Sequence, residues 1–182
     1  IHELMKSANA ISNILIAFGA QEPVAGSPMF AWAMQQAEYN ASGSGIVGVN
    51  IGFKSSAHSV VKGYGNPFGL LAHAKGAETG ENSAAGAIDA GAQTTTGGIF
   101  VYQLLSSDGT VTLLLEDAST NTDINFSALS GATSGEIDAT TTPAAGMIAL
   151  ANDATVKRYV RWQISLGTAT TATFVCGFIR GH

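Results

Sequence analysis

VKRYVRWQISLGTATTATFVCGFIRG (residues 156–181) is the stretch whose reading decides the fold. Its first half alternates. Val156, Arg158, Val160, Trp162, Ile164 and Leu166 fall on one face, and Lys157, Tyr159, Arg161, Gln163 and Ser165 on the other. A period of two is that of a β-strand with one buried and one polar face. Gly167 to Thr171 read as a turn. In the return strand Phe174, Cys176 and Phe178 share a face, while Val175, Gly177 and Ile179 opposite them are not polar either. Such a strand is either central in a sheet and covered twice, or covered by a partner. The stretch therefore reads as a β-hairpin with Val160, Trp162 and Ile164 inward, Arg158 at the rim of that face, and Lys157 and Arg161 outward.

The same stretch carries Lys157, Arg158, Arg161 and Arg180, four of the chain's eight Lys and Arg residues and every arginine. From residue 76 to 155 there is no Lys or Arg, against ten acids: Glu78, Glu81, Asp89, Asp108, Glu116, Asp117, Asp123, Glu136, Asp138 and Asp153. An acidic block opposes nucleic-acid binding, because phosphate neutralisation requires Lys and Arg. It reads either as a solvated face or as a surface that meets the basic hairpin of another subunit. Lys157, Tyr159, Arg161, Val175 and Ile179 are the candidate inter-subunit contacts. On this reading Arg161→Glu weakens assembly more than folding, whereas loss of Arg158 costs folding stability.

Composition points the same way. At 182 residues the chain can form one domain with a full core or two small ones. Charged residues make up 12%, against the roughly 25% usual for soluble domains. A free monomer needs charge to stay dispersed; an oligomer and an unusually bland monomer both fit. No apolar run approaches the ~20 residues of a membrane helix, and Ile14–Phe18 is too short and lacks the basic flank of a signal peptide. The chain opens on Ile1, which leaves processing or a further N-terminal segment open. A single Cys176 excludes an internal disulfide and reads as a small buried hydrophobe.

Outward from the hairpin, GIFVYQLL (98–105) and TVTLLLED (110–117) read as strands joined by the hairpin turn SSDG, with Gly109 free to take positive φ. INFSAL (124–129), GEIDAT (135–140) and GMIAL (146–150) read as further short strands. Six or seven such strands at this spacing suggest a β-sandwich. Residues 64–80 are punctuated by turn residues and read as a connector, with a domain boundary near residues 72–80. Earlier, IVGVNIGF (46–53) alternates apolar residues with Gly48 and Gly52, the mark of a strand approached closely by another backbone. Ile11, Ile14, Leu15 and Phe18 follow helical spacing, which predicts an amphipathic helix over 7–18 with Ser7 as N-cap and Gly19 as stop. PMFAWAMQQAEY (28–39) fits a helix or a strand.

No catalytic constellation stands out. His2, His58, His73 and His182 are far apart, with no metal-ligand spacing. Asp117–Asp123 lacks the central Gly and distal Glu of a calcium loop and reads as a turn. Glu116 and Asp117 point to opposite faces of a strand end. Gly97-Gly98 precedes a strand rather than a helix, so no phosphate cradle forms. No Ser has an evident base. The expectation is a protein that is not an enzyme, with no cofactor and no metal.

Leu70-Leu71-Ala72-His73-Ala74, Asp89-Ala90-Gly91, Thr95-Thr96-Gly97-Gly98 and Arg158-Tyr159-Val160-Arg161 resemble, in this order, the C-terminal half of siphophage (long-tailed bacteriophage) major tail tube proteins. The resemblance covers about residues 8–181 and is most recognisable after residue 64. It implies a mainly β chain: residues 1–75 a tail-tube-type β-barrel or sandwich portion with one α-helix, and residues 76–182 an Ig-like or jelly-roll-like β-sandwich. It also implies a structural virion protein, a homo-oligomeric ring, classically hexameric, stacked into the tube that delivers DNA. Its partners would be other copies and other tail proteins, with genomic DNA passing unbound and no membrane contact. Its place would be the virion tail, assembled in the host cytoplasm. That family normally opens on a strand-rich segment before the helix, whereas the sequence here opens almost directly on the expected helix, so either an upstream part is missing from it or the subunit completes its sheet differently. The competing readings are a head-decoration or fibre protein, or a β-sandwich glycan-binding module using Trp162, Tyr159 and Tyr102 as stacking aromatics, of which Trp162 falls on the core face.

Overall fold

The protein was analysed as a computed structural model, which describes residues 11–17, 23–42, 48–55, 68–80 and 87–181. Its strands are β1 (Ile11–Ala17), β2 (Pro28–Ser42), β3 (Gly48–Ser55), β4 (Phe68–Glu78), β5 (Ile88–Asp89), β6 (Gly98–Ser107), β7 (Thr110–Ala118), β8 (Ser127–Asp138), β9 (Ala144–Ala149), β10 (Tyr159–Leu166) and β11 (Ala172–Arg180). One 3-10 turn, Asp123–Asn125, precedes β8. The chain is thus mainly β, in two antiparallel sheets. The larger runs β1-β2-β4-β11-β6-β9, with β3 also on β2, and the smaller runs β5-β10-β7-β8.

The segment expected to be a helix is a strand over its described part. Ile11–Ala17 pairs antiparallel with β2, from Ile11↔Gln35 to Ala17↔Met29. Its β-branched Ile11, Ile14 and Ile16 favour a pleated backbone, and an available neighbouring strand overrides the helical spacing. The rest of the expected helix lies outside the described residues. Residues 28–39, open between helix and strand, belong to β2. The expected connector over 64–80 is strand β4 from Phe68 to Glu78, paired with both β2 and β11 and running across residues 75 and 76. Gly69 is not a turn residue: a Cβ there would lie 2.2 Å from the Phe178 carbonyl oxygen, so the glycine lets two strands approach.

Residues 156–181 are not a hairpin. β10 lies in the small sheet between β5 and β7, and β11 lies in the large sheet between β4 and β6. The turn between them carries the chain from one sheet to the other. The 107–110 turn does the same for β6 and β7, which likewise belong to different sheets. The two arches nest, β6 against β11 and β7 against β10. At their shared corner Asp108 accepts hydrogen bonds from the Thr170 hydroxyl and from the amides of Thr170 (2.8 Å) and Thr171 (2.9 Å). Gly109 does not have positive φ; a Cβ there would lie 2.7 Å from the Ala169 nitrogen, so close approach of the second arch selects it. The two strands expected in 124–140 are one, β8, whose pairing with β7 shifts register twice. Gly131 (φ 82°) and Gly135 (φ 65°) supply the left-handed backbone that such irregularities use.

Apolar residues form two cores. The first lies between the sheets: Phe100, Tyr102, Leu104, Phe174, Cys176 and Phe178 of the large sheet face Val111, Leu113, Leu115, Val160, Trp162 and Ile164 of the small one. The alternation of β10 is as expected, with Val160, Trp162 and Ile164 buried. The second core covers the other face of the large sheet, where Leu71, Ile99, Val101 and Ile179 meet Met29 and Ala31, with Leu15, Ala17, Met147 and Val175 at its edge. The doubly apolar β11 is therefore sheet-central and covered twice within its own chain.

Candidate functional site

The basic residues of β10 and its flanks were the strongest candidates, and each finds its partner inside the chain. Lys157 donates its amide to Asp117 Oδ2 (2.8 Å) and holds Nζ 3.2 Å from Oδ1 of the same buried carboxylate. Arg158 forks onto Asp89 through Nε (3.0 Å) and Nη2 (2.6 Å). This pair is exposed, and the Arg158 hydrogen bonds, then the Gly91 amide, lower the Asp89 carboxyl below its ordinary value. Arg180, half-buried, donates to the carbonyls of Ala90 (2.8 Å), Val156 (2.7 Å) and Lys157 (2.7 Å), tying the end of β11 to two loops. Burial there lowers its proton affinity.

Arg161 is the least accessible of these cations, with a side chain 7% exposed. Its Nε donates to Glu116 Oε2 at 2.6 Å and Nη1 donates to Asp123, while the guanidinium lies 4.3 Å from the Phe126 ring centroid. Burial opposes the charge, but the hydrogen bonds to Asp123 and Glu116 outweigh it and the pKa is raised. The sequence placed Arg161 on an outward face correctly, but not the 122–126 turn that folds over it. Ile179 is wholly buried in the second core. Arg161 and Ile179 thus have no surface to offer a neighbour, while Lys157, Tyr159 and Val175 are half-buried. The part of the acidic block formed by Asp89, Glu116, Asp117 and Asp123 is matched by the basic residues of the same chain.

Sites of other kinds are equally accounted for. His73 stacks on Phe174 (4.2 Å between centroids), meets Trp162 edge-on and contacts Glu78 at 2.9 Å. Cys176 is buried beside it, which pushes its thiol far above the reactive range. Glu116 turns to Arg161 and Asp117 to Lys157, so they share no task. His58 lies outside the described residues. Among the described residues no three His, Cys, Asp or Glu side chains converge as a metal site, and no helix is long and apolar enough to cross a membrane.

Among the described residues β2 pairs with β1 over Met29–Gln35, with β4 over Pro28–Phe30 and with β3 from Met34↔Ser55 to Ser42↔Gly48. The alternation in 46–53 announced β3.

No family model matches the chain, and no curated protein sequence matches it.

Proposed function

We propose that the protein is a structural, self-assembling subunit of a phage virion, and more narrowly a subunit of a stacked-ring tail tube. The observation that carries this reading is the strand order β4-β11-β6-β9 over β5-β10-β7-β8, which follows the jelly roll, an architecture common among viral capsid proteins and lectins. Two further points support it. A charged content of 12% suits a chain whose surface is covered by neighbours. The tail-tube motifs at residues 70–74, 89–91, 95–98 and 158–161 lie within or beside the strands of the jelly roll. In this reading β1–β3 contribute to the tube wall, the rings are hexameric, and a net charge of −5 disfavours retention of DNA in the lumen.

The glycan-binding reading loses two of its three aromatics. Trp162 and Tyr102 are 6% and 7% exposed within the inter-sheet core and offer no platform to a sugar. Negative-stain microscopy and mass photometry of the purified chain test the proposal. Rings or tubes are expected; a fibre or a small compact oligomer contradicts the tube. A strict monomer at high concentration that binds a glycan array overturns the assembly reading itself.

A further inference from the structure

We propose that His73 and Glu78 form a clasp across the bulge of β4 that tightens in mild acid, so that pH sets how firmly this strand is held against β11.

The contact exists because β4 is irregular. Residues five apart in a regular strand lie roughly 16 Å from each other along it and point to opposite faces. Here His73 Nε2 lies 2.9 Å from Glu78 Oε1. Two register shifts against β11 flank His73: Ala74 and Lys75 together stand opposite Val175, and Ala72 is inserted between the pairs Leu71↔Gly177 and His73↔Cys176. A bulge adds one residue, bends its strand and re-aims a side chain. The residue added between His73 and Gly76 returns His73 and Glu78 to one face, opposite Cys176 and Ala172 of the inter-sheet core. Gly76 leaves room for the ring, since a Cβ there would lie 3.3 Å from His73 Cε1. The ladder is locally disrupted at a bulge, so the clasp spans the seam where backbone pairing holds it least.

The strength of the pair depends on pH. The His73 side chain is 10% exposed and that of Glu78 33%. The ring is enclosed by Phe174 and Trp162. A carboxylate only accepts, so Nε2 is the donor, and Nδ1 has no hydrogen-bond partner. Imidazole is the side chain whose ordinary charge change falls between pH 5 and 8. A neutral ring gives Glu78 an ordinary hydrogen bond, whereas a cationic ring gives a charge-assisted one, roughly twice as strong. With Nδ1–H lacking an acceptor, the buried cation depends on Glu78, and removing that carboxylate leaves it uncompensated. The added strength is present on the acid side and is lost as pH rises through the imidazole range.

Few other titratable groups lie nearby among the described residues. β4 adds Lys75, which is exposed. β11 adds the Cys176 thiol and β6, next to it, the Tyr102 phenol; burial raises both, so neither is charged in this range. β10 brings only Trp162 to the ring. Asp108, beyond β6, is taken up by Thr170 and Thr171.

Urea unfolding of the full chain at pH 5.5 and 8.0, at one protein concentration, tests the clasp. Glu78→Gln keeps the size and an accepting oxygen but removes the charge, and should lower the urea midpoint at least twice as far at pH 5.5 as at pH 8.0. In a His73→Phe background, which keeps a ring on Phe174 but takes up no proton, the same change should shift the midpoint equally at both pH values. Should His73→Phe fail to fold, His73→Gln serves as the background. An equal effect of Glu78→Gln at the two pH values in the otherwise unchanged chain overturns the proposal. So does a difference that persists without His73, because another group would then carry it.

Discussion

Trp162 of β10 and Phe174 of β11 meet edge to face with ring centroids 5.2 Å apart, although their strands belong to different sheets. His73 closes the cluster from β4, 4.5 Å from Trp162 and 4.2 Å from Phe174. The contact shows why the arch holds: the turn at 167–171 folds one apolar face onto the other, and three rings fill the space between.

Truncating either ring leaves a cavity that close-packed sheets fill only in part. Phe174→Ala is expected to cost about 3–5 kcal/mol, read from the urea midpoint. A loss below 1 kcal/mol would mean that the two sheets do not pack here.

Arg161 sits under Phe126 with Glu116 and Asp123, so its charge serves folding before anything else. Arg161→Met keeps the stem against Phe126 but leaves the mostly buried Glu116 without its cation, with only Gln163 donating to it at 3.4 Å, an expected cost of about 3 kcal/mol. Adding Glu116→Gln should return part of it. Arg161→Glu sets a third carboxylate beside two others and should prevent folding. Wild-type stability of Arg161→Met with assembly alone lost would restore an outward role for this residue.

Asp108 clamps the two arches at their shared corner. Hydrogen bonds from the Thr170 hydroxyl and from the Thr171 and Thr170 amides hold its carboxyl at about 2, below the ordinary 3.8. The folded form thus binds this proton less readily than the unfolded one. Its stabilisation is complete above pH 4 and disappears as pH falls from about 4 to about 2. Asp108→Ala should flatten the acid side of the stability profile in that window and leave its slope above pH 5 unchanged. An identical acid limb in the variant would remove Asp108 from the account.

Gly177 is the seat of the N-terminal strands on the large sheet. A Cβ at this position would lie 2.1 Å from Met29 Sδ and 2.9 Å from the Leu70 carbonyl oxygen. Gly177→Ala is therefore expected to cost about 1–3 kcal/mol by overpacking, with partial relief when Met29→Ala is added, because the Leu70 contact remains. An unchanged thermal midpoint would mean that Met29 does not pack there.

Much of the sandwich was legible locally. Alternation placed β6, β7, β10 and β11, and the inward residues Val160, Trp162 and Ile164 were read from spacing alone. What could not be read was which strands pair. A turn such as SSDG looks the same whether it closes a hairpin or an arch; the choice is made by Thr168 and Ala169, sixty residues away, pressing on Gly109. Gly69 suggested a connector because a glycine needed for close strand approach looks like one needed for a turn. Ile11–Ala17 followed helical spacing until β2 offered it an edge. The basic strand was read correctly as two-faced, but the cover over Arg161 comes from a 3-10 turn with no apolar periodicity of its own. Long-range cover, not local pattern, decided which candidate contacts stay available.

Hydrogen exchange on the β2–β3 pair tests the central claim most directly, with the full chain compared at concentrations below and above assembly. Amides of residues 36–42 and 48–53 in the β2–β3 pair should gain at least tenfold protection on assembly. The inter-sheet strands β6, β7, β10 and β11 should be protected in both states. Equal exchange of the β2–β3 pair in the dilute and assembled protein would contradict self-assembly through this part of the chain.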